Sequence, residues 1–347
     1  MHAHKRFSVV LAAAILGASL LPARAEPPWP HASEATLANR LAAAERRFGP
    51  RNPQLLPILA SLAHQRFEAA DLAAAMALRR RAMKIAIATY GNLSVPAAQT
   101  MAALADLYVQ LRRYLDAEPL ALTAANVLSA RLGAGAPALA PLLADRARIA
   151  LARGDLGDAR IWAERAVAID VKTVGVPRSD RLRVLGAVLT AQHHFAEAER
   201  LLRRAVALDR AGTDPLATAR SLARLGQALL RQKRFAEALA PIEEATAIDQ
   251  DRLGATHPLI AEDFHDLGLI YLATGRVAAG ASAFRTAIDG LQRGAAWDTP
   301  TLAYIELDLA RAEHMLGHED RSQSLFRAAR HILNAVEDDQ HERERAS

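Results

Sequence analysis

A glycine followed within a few residues by a proline recurs along this chain at nearly constant intervals, and that period constrains the fold more than any other feature. The pairs are Gly49/Pro53, Gly91/Pro96, Gly133/Pro137, Gly175/Pro177, Gly212/Pro215, Gly254/Pro258 and Gly294/Pro300, with the prolines 43, 41, 40, 38, 43 and 42 residues apart. Glycine ends a helix in the left-handed conformation, and proline starts the next with its φ already set. A period of this length is the mark of stacked supersecondary units. Between the marks each unit reads as two amphipathic helices.

A second register agrees with the first. Ala75, Ala117, Ala159, Ala198, Ala238, Gly280 and Ser322 repeat at the same period, and seven residues after each stands an alanine: Ala82, Ala124, Ala166, Ala205, Ala245, Ala287 and Ala329. Twelve residues before the first set lie Ala63, Ala105, Ala147, Gly186, Gly226, Gly268 and Ala310. Small residues at fixed places predict close helix approach. One position lies on the first helix where the second crosses it, and two lie on the second helix where the next unit packs. Larger apolar residues precede the first small position: Leu62, Leu104, Leu185, Leu225, Leu267 and Leu309, with Arg146 as the exception. The turns between paired helices carry an apolar plug at Leu72, Tyr114, Leu156, Phe195, Phe235 and Val277, and Glu319 breaks that pattern.

This pattern resembles the tetratricopeptide repeat (TPR). Phe195-Ala-Glu-Ala-Glu-Arg-Leu-Leu-Arg-Arg-Ala205 and Phe235-Ala-Glu-Ala-Leu-Ala-Pro-Ile-Glu-Glu-Ala245 read as second helices of that family. The unit of about 42 residues, with Gly254-Ala-Thr-His-Pro258 at a junction, is similar to the longer kinesin light chain-type variant. The resemblance covers about residues 50–335 and implies an all-α fold, a TPR α-solenoid forming a right-handed superhelix of about seven helix-turn-helix repeats. The expected divisions are an N-terminal extension and capping helix over 26–52, a solenoid over 53–336 and a charged flexible tail over 337–347.

The first 25 residues have the three-part form of a secretory signal. His2 to Arg6 is basic, Phe7 to Ala23 is uncharged and mostly apolar, and Ala23-Arg24-Ala25 fits a cleavage site after Ala25. The apolar run is shorter than the roughly 20 residues a spanning helix needs, so an uncleaved anchor is the weaker reading. Export to the periplasm or beyond a bacterial envelope follows, with no membrane span after cleavage.

Composition narrows the function classes. Aromatics make up 5% and strand formers are sparse, against an all-β domain. There is no cysteine, which excludes disulfides, thiolate metal sites and a cysteine nucleophile. The formal charge of +5 invites a nucleic-acid reading. With Lys5, Arg6 and Arg24 removed in the leader, 40 basic residues face 38 acidic ones, a net +2, and the nucleic-acid reading falls away.

Motifs for chemistry are mostly missing: no Gly-rich phosphate loop, no H-E-x-x-H and no G-x-S-x-G occurs. His314 and His318 have metal-ligand spacing, but Gly317 between them should end the helix. His193 and His194 read as polar turn residues and His257 as a turn cap. Trp162 reads as packing, and Trp297 as a half-exposed loop aromatic with a contact role open to it. No metal and no cofactor is implied.

The resemblance implies that the first helices line a concave groove that holds a partner segment. Its groove positions fall on His64, Asp106 and Gln110 early, on Arg148, Arg183, Arg220, Arg224, Gln227 and Arg231 in the middle, and on Glu262, His265, Asp266, Tyr304, Asp308 and Arg311 late. The basic middle would favour an acidic segment or a C-terminus, since arginine gives carboxylates paired hydrogen bonds. Many relatives place asparagine on the first helix to hold peptide backbone; here those positions are mostly Ala or Arg, as in Ala219-Arg-Ser-Leu-Ala-Arg-Leu-Gly226. The leading expectation is an exported, non-enzymatic protein-binding scaffold. Two alternatives stand beside it: an envelope hydrolase or sugar-modifying enzyme using Asp263, His265 and Asp266, and a self-assembling repeat module. Glu306, Glu313 and Glu319 in the last unit count against open-ended stacking.

Overall fold

The computed structural model describes residues 34–254, 257–293 and 299–346. The leader 1–25 with its cleavage point Ala25, the extension through Ser33, Gly294 and Trp297 lie outside the described residues. Among the described residues every regular element is helical. A single helix α1 (Glu34–Phe48) is followed by seven pairs. They are α2 (Leu56–Glu68) with α3 (Leu72–Tyr90), α4 (Val95–Gln110) with α5 (Tyr114–Leu132), α6 (Leu139–Ala152) with α7 (Leu156–Val174), and α8 (Ser179–Ala191) with α9 (Phe195–Arg210). Then come α10 (Pro215–Arg231) with α11 (Phe235–Leu253), α12 (Ala261–Ala273) with α13 (Val277–Arg293), and α14 (Thr299–Met315) with α15 (Glu319–Ala346). The backbone of α15 stays helical through most of the segment set apart above as a tail.

Two compact units make up the chain. One holds α1 to α7 up to Val176, apart from the turns Glu68–Leu72 and Leu111–Arg113; the other holds those turns and everything from Pro177. In the first unit α1 packs on the first pair: Leu37 sits with Ile58 and Leu62, and Leu41 and Ala44 flank Leu55, Leu59, Ala82 and Ile85. Ion pairs Arg66–Glu34 and Arg81–Glu45 fasten it. In the second unit Leu202, Leu222, Leu225, Leu229, Ile242, Leu267 and Ile270 form one continuous core across α9 to α12.

The small registers are where helices touch. Ala75, Ala117, Ala159, Ala198 and Ala238 are fully buried, and so are Ala124, Ala166, Ala205, Ala245, Ala287 and Ala329. A Cβ added at Gly186 would fall 2.6 Å from Leu202 Cγ, and one at Gly268 would meet the ring of Phe284, 2.8 Å from Cζ. Glycine is required at these crossings because the second helix sends a large side chain into the first. Where the second helix offers only Ala121 or Ala163, the first helix carries Ala105 or Ala147. Arg146, the exception among the leucines, lies over the Trp162 ring, 3.8 Å from its centre, so its guanidinium plane replaces an apolar contact.

Two punctuation details differ from expectation. Gly49, Gly91, Gly133, Gly175 and Gly254 have positive φ as predicted, but Gly212 does not: α9 closes on Ala211 in the right-handed region. The turn inside each pair holds a left-handed residue in all seven pairs, at Ala70, Arg112, Gly154, His193, Lys233, Gly275 and Gly317. Four of these carry side chains, so the sequence gives no glycine signal there. Gly317 does break the helix between His314 and His318, as expected.

In the last pair the three glutamates divide between interior and surface. Glu306 and Glu313 are buried, Glu313 bridging Arg285 and His318 Nδ1 (2.7 Å to the latter), while Glu319 is exposed and meets His314 Nδ1 at 2.8 Å. The two histidines therefore go to different carboxylates. Among the mostly polar exposed residues of the last pair Phe326 stands out: it is 51% exposed, although its counterparts Leu202, Ile242 and Phe284 are fully buried.

Candidate functional site

Within the C-terminal unit the first helices α8, α10, α12 and α14 lie side by side. Leu222, Leu225 and Leu229 turn one face of α10 into the core. Arg220, Arg224, Gln227 and Arg231, spaced four, three and four, therefore share the opposite face. The three arginines are exposed and Gln227 is half-buried.

Side-chain bonds run from this face across the neighbouring helices. Arg224 Nη1 donates to Gln227 Oε1 at 2.7 Å, and Gln227 Nε2 donates to Asp266 Oδ2 on α12 at 2.8 Å. His265, the next residue on α12, places Nε2 2.8 Å from Asp308 Oδ2 on α14, with its ring tilted against Phe284. Tyr304 and Arg311 flank Asp308 and are exposed. Five residues expected in a groove, Arg224, Gln227, His265, Asp266 and Asp308, are thus joined in one polar strip over three first helices, with Arg220 and Arg231 at its α10 edge.

Burial sets the electrostatics of α12. It pushes the Asp266 carboxyl up to about 6, against the opposing pull of the Gln227 amide and His265. Glu262 is subject to the same burial, but Arg112, Arg224 and His265 together hold it below its ordinary value. Arg112 Nε lies 3.4 Å from Glu262 Oε1.

Arg183 does not belong to this strip. It is only 8% exposed, and its Nη1 donates to Asp209 Oδ2 at 2.9 Å and to Ser221 Oγ at 3.2 Å, while Ser221 Oγ donates to the same carboxylate at 2.5 Å. Its role is structural: it neutralises a buried carboxylate at the α9–α10 junction. Arg148 belongs to the N-terminal unit, where it donates to buried Asp145 at 2.9 Å; Gln110 likewise donates to Asp106 at 2.9 Å, and His64 is exposed.

The three residues considered for hydrolysis do not share a partner. His265 meets Asp308, Asp266 meets Gln227, and Asp263 is buried on the other side of α12's first turn, its carboxyl pushed up by burial and then by the charge of Asp249. Among the described residues no group of three His, Asp or Glu side chains could hold a metal ion. Asp249 went unread in the sequence, although a signal was there: Asp170, Asp209 and Asp249 follow an Ile or Leu near the ends of successive second helices, 39 and 40 residues apart, and all are buried. His257 caps its turn as expected, its Nδ1 accepting from the Leu259 N–H at 3.1 Å.

The tetratricopeptide repeat family model matches residues 180–251 and 217–293, all within the C-terminal unit. Residues 180–293 are thus similar to tetratricopeptide repeats, and sequential helix pairs continue on either side. No curated protein matches the chain. Among solved structures, the Rap protein complexed with Competence and Sporulation Factor superposes with a TM-score of 0.65 at 11% identity, covering 88% of this chain and 82% of that one. A chain of the APC/C hetero-tetramer Cut9–Hcn1 gives 0.57 at 14% identity, covering 89% and 51%. A kinesin light chain-type repeat protein of Podosopora anserina gives 0.42 at 21% identity, covering 57% and 96%. The first two fix the fold as an all-α solenoid of sequential helix pairs. A TPR scaffold is in general a protein–protein interaction module, and no helix among the described residues is long and apolar enough to cross a membrane.

Proposed function

We propose that the chain is an exported interaction scaffold whose C-terminal unit holds an acidic, extended partner segment along α10, α12 and α14. The observation that carries this reading is the polar strip and the sign of its exposed charge. Its carboxylates are occupied, Asp266 by Gln227, Asp308 by His265 and Glu262 by Arg112. Its exposed charges are Arg220, Arg224, Arg231 and Arg311. An anionic segment would meet guanidinium groups able to give paired hydrogen bonds. With no asparagine on this face of α10, recognition would rest on partner side chains or a terminal carboxylate more than on its backbone. The Rap protein solved with a bound factor and the matched chain of the Cut9–Hcn1 hetero-tetramer are folds of this kind solved with another molecule. Export to a bacterial periplasm rests on the basic, apolar and A-x-A segments of residues 1–25.

The test is affinity capture of the tagged chain from its own cells after crosslinking, beside Arg220→Glu/Arg224→Glu. Both positions are exposed, and circular dichroism of the double variant checks that the fold survives the loss of Arg220 beside Asp249 and of Arg224 beside Glu262. A partner held by the natural chain and lost by the variant supports the strip. A partner held equally by both removes the strip from the interface. Retention of the tagged chain in the cytoplasm would refute export.

A further inference from the structure

We propose that the α11–α12 junction is a proton-dependent joint, held closed by a proton shared between Asp249 and Asp263 and loosened when both carboxyls ionise. The junction before it shows the arrangement it departs from. There Asp209, near the end of α9, is met by the Ser221 hydroxyl and by Arg183. Asp249 is the counterpart of Asp209, 40 residues on. Asp263 is the counterpart of Ser221, each lying five residues before the small residue of its first helix, Gly268 or Gly226. The counterpart of Arg183, three residues before that small residue, is Ala223. A hydroxyl donor has thus become a second carboxyl, and the buried guanidinium is gone.

Both carboxyls are enclosed, Asp249 being 8% and Asp263 4% exposed, and they stand at the positions where Asp209 and Ser221 meet at 2.5 Å one junction earlier. Two carboxylates cannot hydrogen-bond without a proton between them. The second oxygen of Asp263, Oδ2, has no hydrogen-bond partner. The charged groups acting on the pair are Arg220 from α10, Asp214 at its N-cap, and Asp266 and Glu262 from α12 itself. One cation therefore faces three further acids. Arg285 of α13 is engaged by Glu313 and Asp308 of α14 by His265. His257, buried on the turn between α11 and α12, accepts from the Leu259 N–H at Nδ1.

The direction follows from burial, which raises Asp249 to about 6 and Asp263 well above its ordinary value, the latter pushed further by Asp249, Asp266 and Glu262. The folded joint binds protons that the unfolded chain has already released. Its stability is fully present below the unfolded carboxyl range and falls as pH rises through 6 and beyond. Helix α12 also bears Glu262, His265 and Asp266, so opening the joint displaces them from α10. The inference stands whether or not that strip binds a partner.

The experiment is amide hydrogen exchange on the full chain across about pH 5 to pH 8, corrected for the intrinsic pH dependence of exchange. Protection of residues 257–266 should fall about tenfold or more, the equivalent of one pKa unit of differential stabilisation. Residues 214–221, at the junction built on Ser221, should hold theirs. Asp263→Ser, which copies that junction, should flatten the response. An equal fall at both junctions, or an unchanged response in Asp263→Ser, overturns the proposal. Should Asp263→Ser not fold, infrared spectroscopy of the natural chain and of Asp263→Asn near neutral pH decides the matter. A protonated-carboxyl band lost in Asp263→Asn supports the shared proton, and its absence from the natural chain refutes it.

Discussion

Replacing Gly186 by alanine should reverse its effect on stability according to what stands at position 202. In the natural chain a Cβ at 186 lies 2.6 Å from Leu202 Cγ and 2.7 Å from its Cδ2, an ångström or so inside ordinary contact. Leu202, on α9, is fully buried against α8 and α10. Overpacking of this kind costs about 1–3 kcal/mol, and the better helix propensity of alanine recovers about 1. Gly186→Ala alone should therefore destabilise by up to about 2 kcal/mol. Leu202→Ala alone should cost about 2–5 kcal/mol for the lost contacts and the cavity. In that background the added methyl enters empty space, the clash is gone, and Gly186→Ala should stabilise by about 1 kcal/mol or more. The double variant reproduces the alanine pairs already present as Ala105 with Ala121 and Ala147 with Ala163. Urea denaturation of the four proteins by circular dichroism measures the cycle. Equal effects of Gly186→Ala in both backgrounds would show that the small register is not set by the facing side chain.

The remaining expectations concern single sites. Arg183→Ala should destabilise by about 3–5 kcal/mol by leaving Asp209 buried without its cation, whereas Arg231→Ala, on an exposed side chain, should stay within about 0.5 kcal/mol; thermal denaturation separates them. Lys233→Gly should raise stability by up to about 1 kcal/mol, because lysine is held there at φ 61°, while Gly154→Ala at the same turn position, φ 81°, should lower it. Phe284→Ala should cost about 3–5 kcal/mol and the half-exposed Phe326→Ala markedly less, as read from urea midpoints. Between pH 4 and 7 the C-terminal unit should lose stability as pH rises. Asp249, raised from 3.8 to about 6 by burial, contributes to that loss together with Asp263, and Asp249→Asn should shrink it in melts run across the range.

The parts of this molecule legible in its sequence are those where geometry admits few residue types. A helix crossing that receives Leu202 or Phe284 admits only glycine, so Gly186 and Gly268 recur in register and the stacking of pairs can be read without coordinates. The left-handed turn inside each pair is equally fixed in geometry. It is invisible because Ala70, Arg112, His193 and Lys233 occupy it at a strain of about 1–2 kcal/mol each that the packed helices on either side overcome. Charge is the least legible. Arg183 and Arg224 both stand on first helices at positions a groove would use, yet one is enclosed at a junction and the other exposed. What separates them is the residue that each meets at a distance in sequence: a buried Asp209, 26 residues on, for Arg183, and a neighbouring glutamine for Arg224. The deciding pattern was therefore the recurring aspartate near the ends of the second helices. Each such carboxylate, once buried, demands a donor from the first helices around it. Arg183 and Ser221 answer that demand at one junction, and a proton on Asp263 answers it at the next. A charged residue on the inner face of a helical repeat can be assigned to binding only after the buried opposite charges of its own junction have been satisfied, and here that ordering leaves Arg224, Arg231 and Arg311 as the cations with a surface to offer, with Arg220 shared between that surface and Asp249.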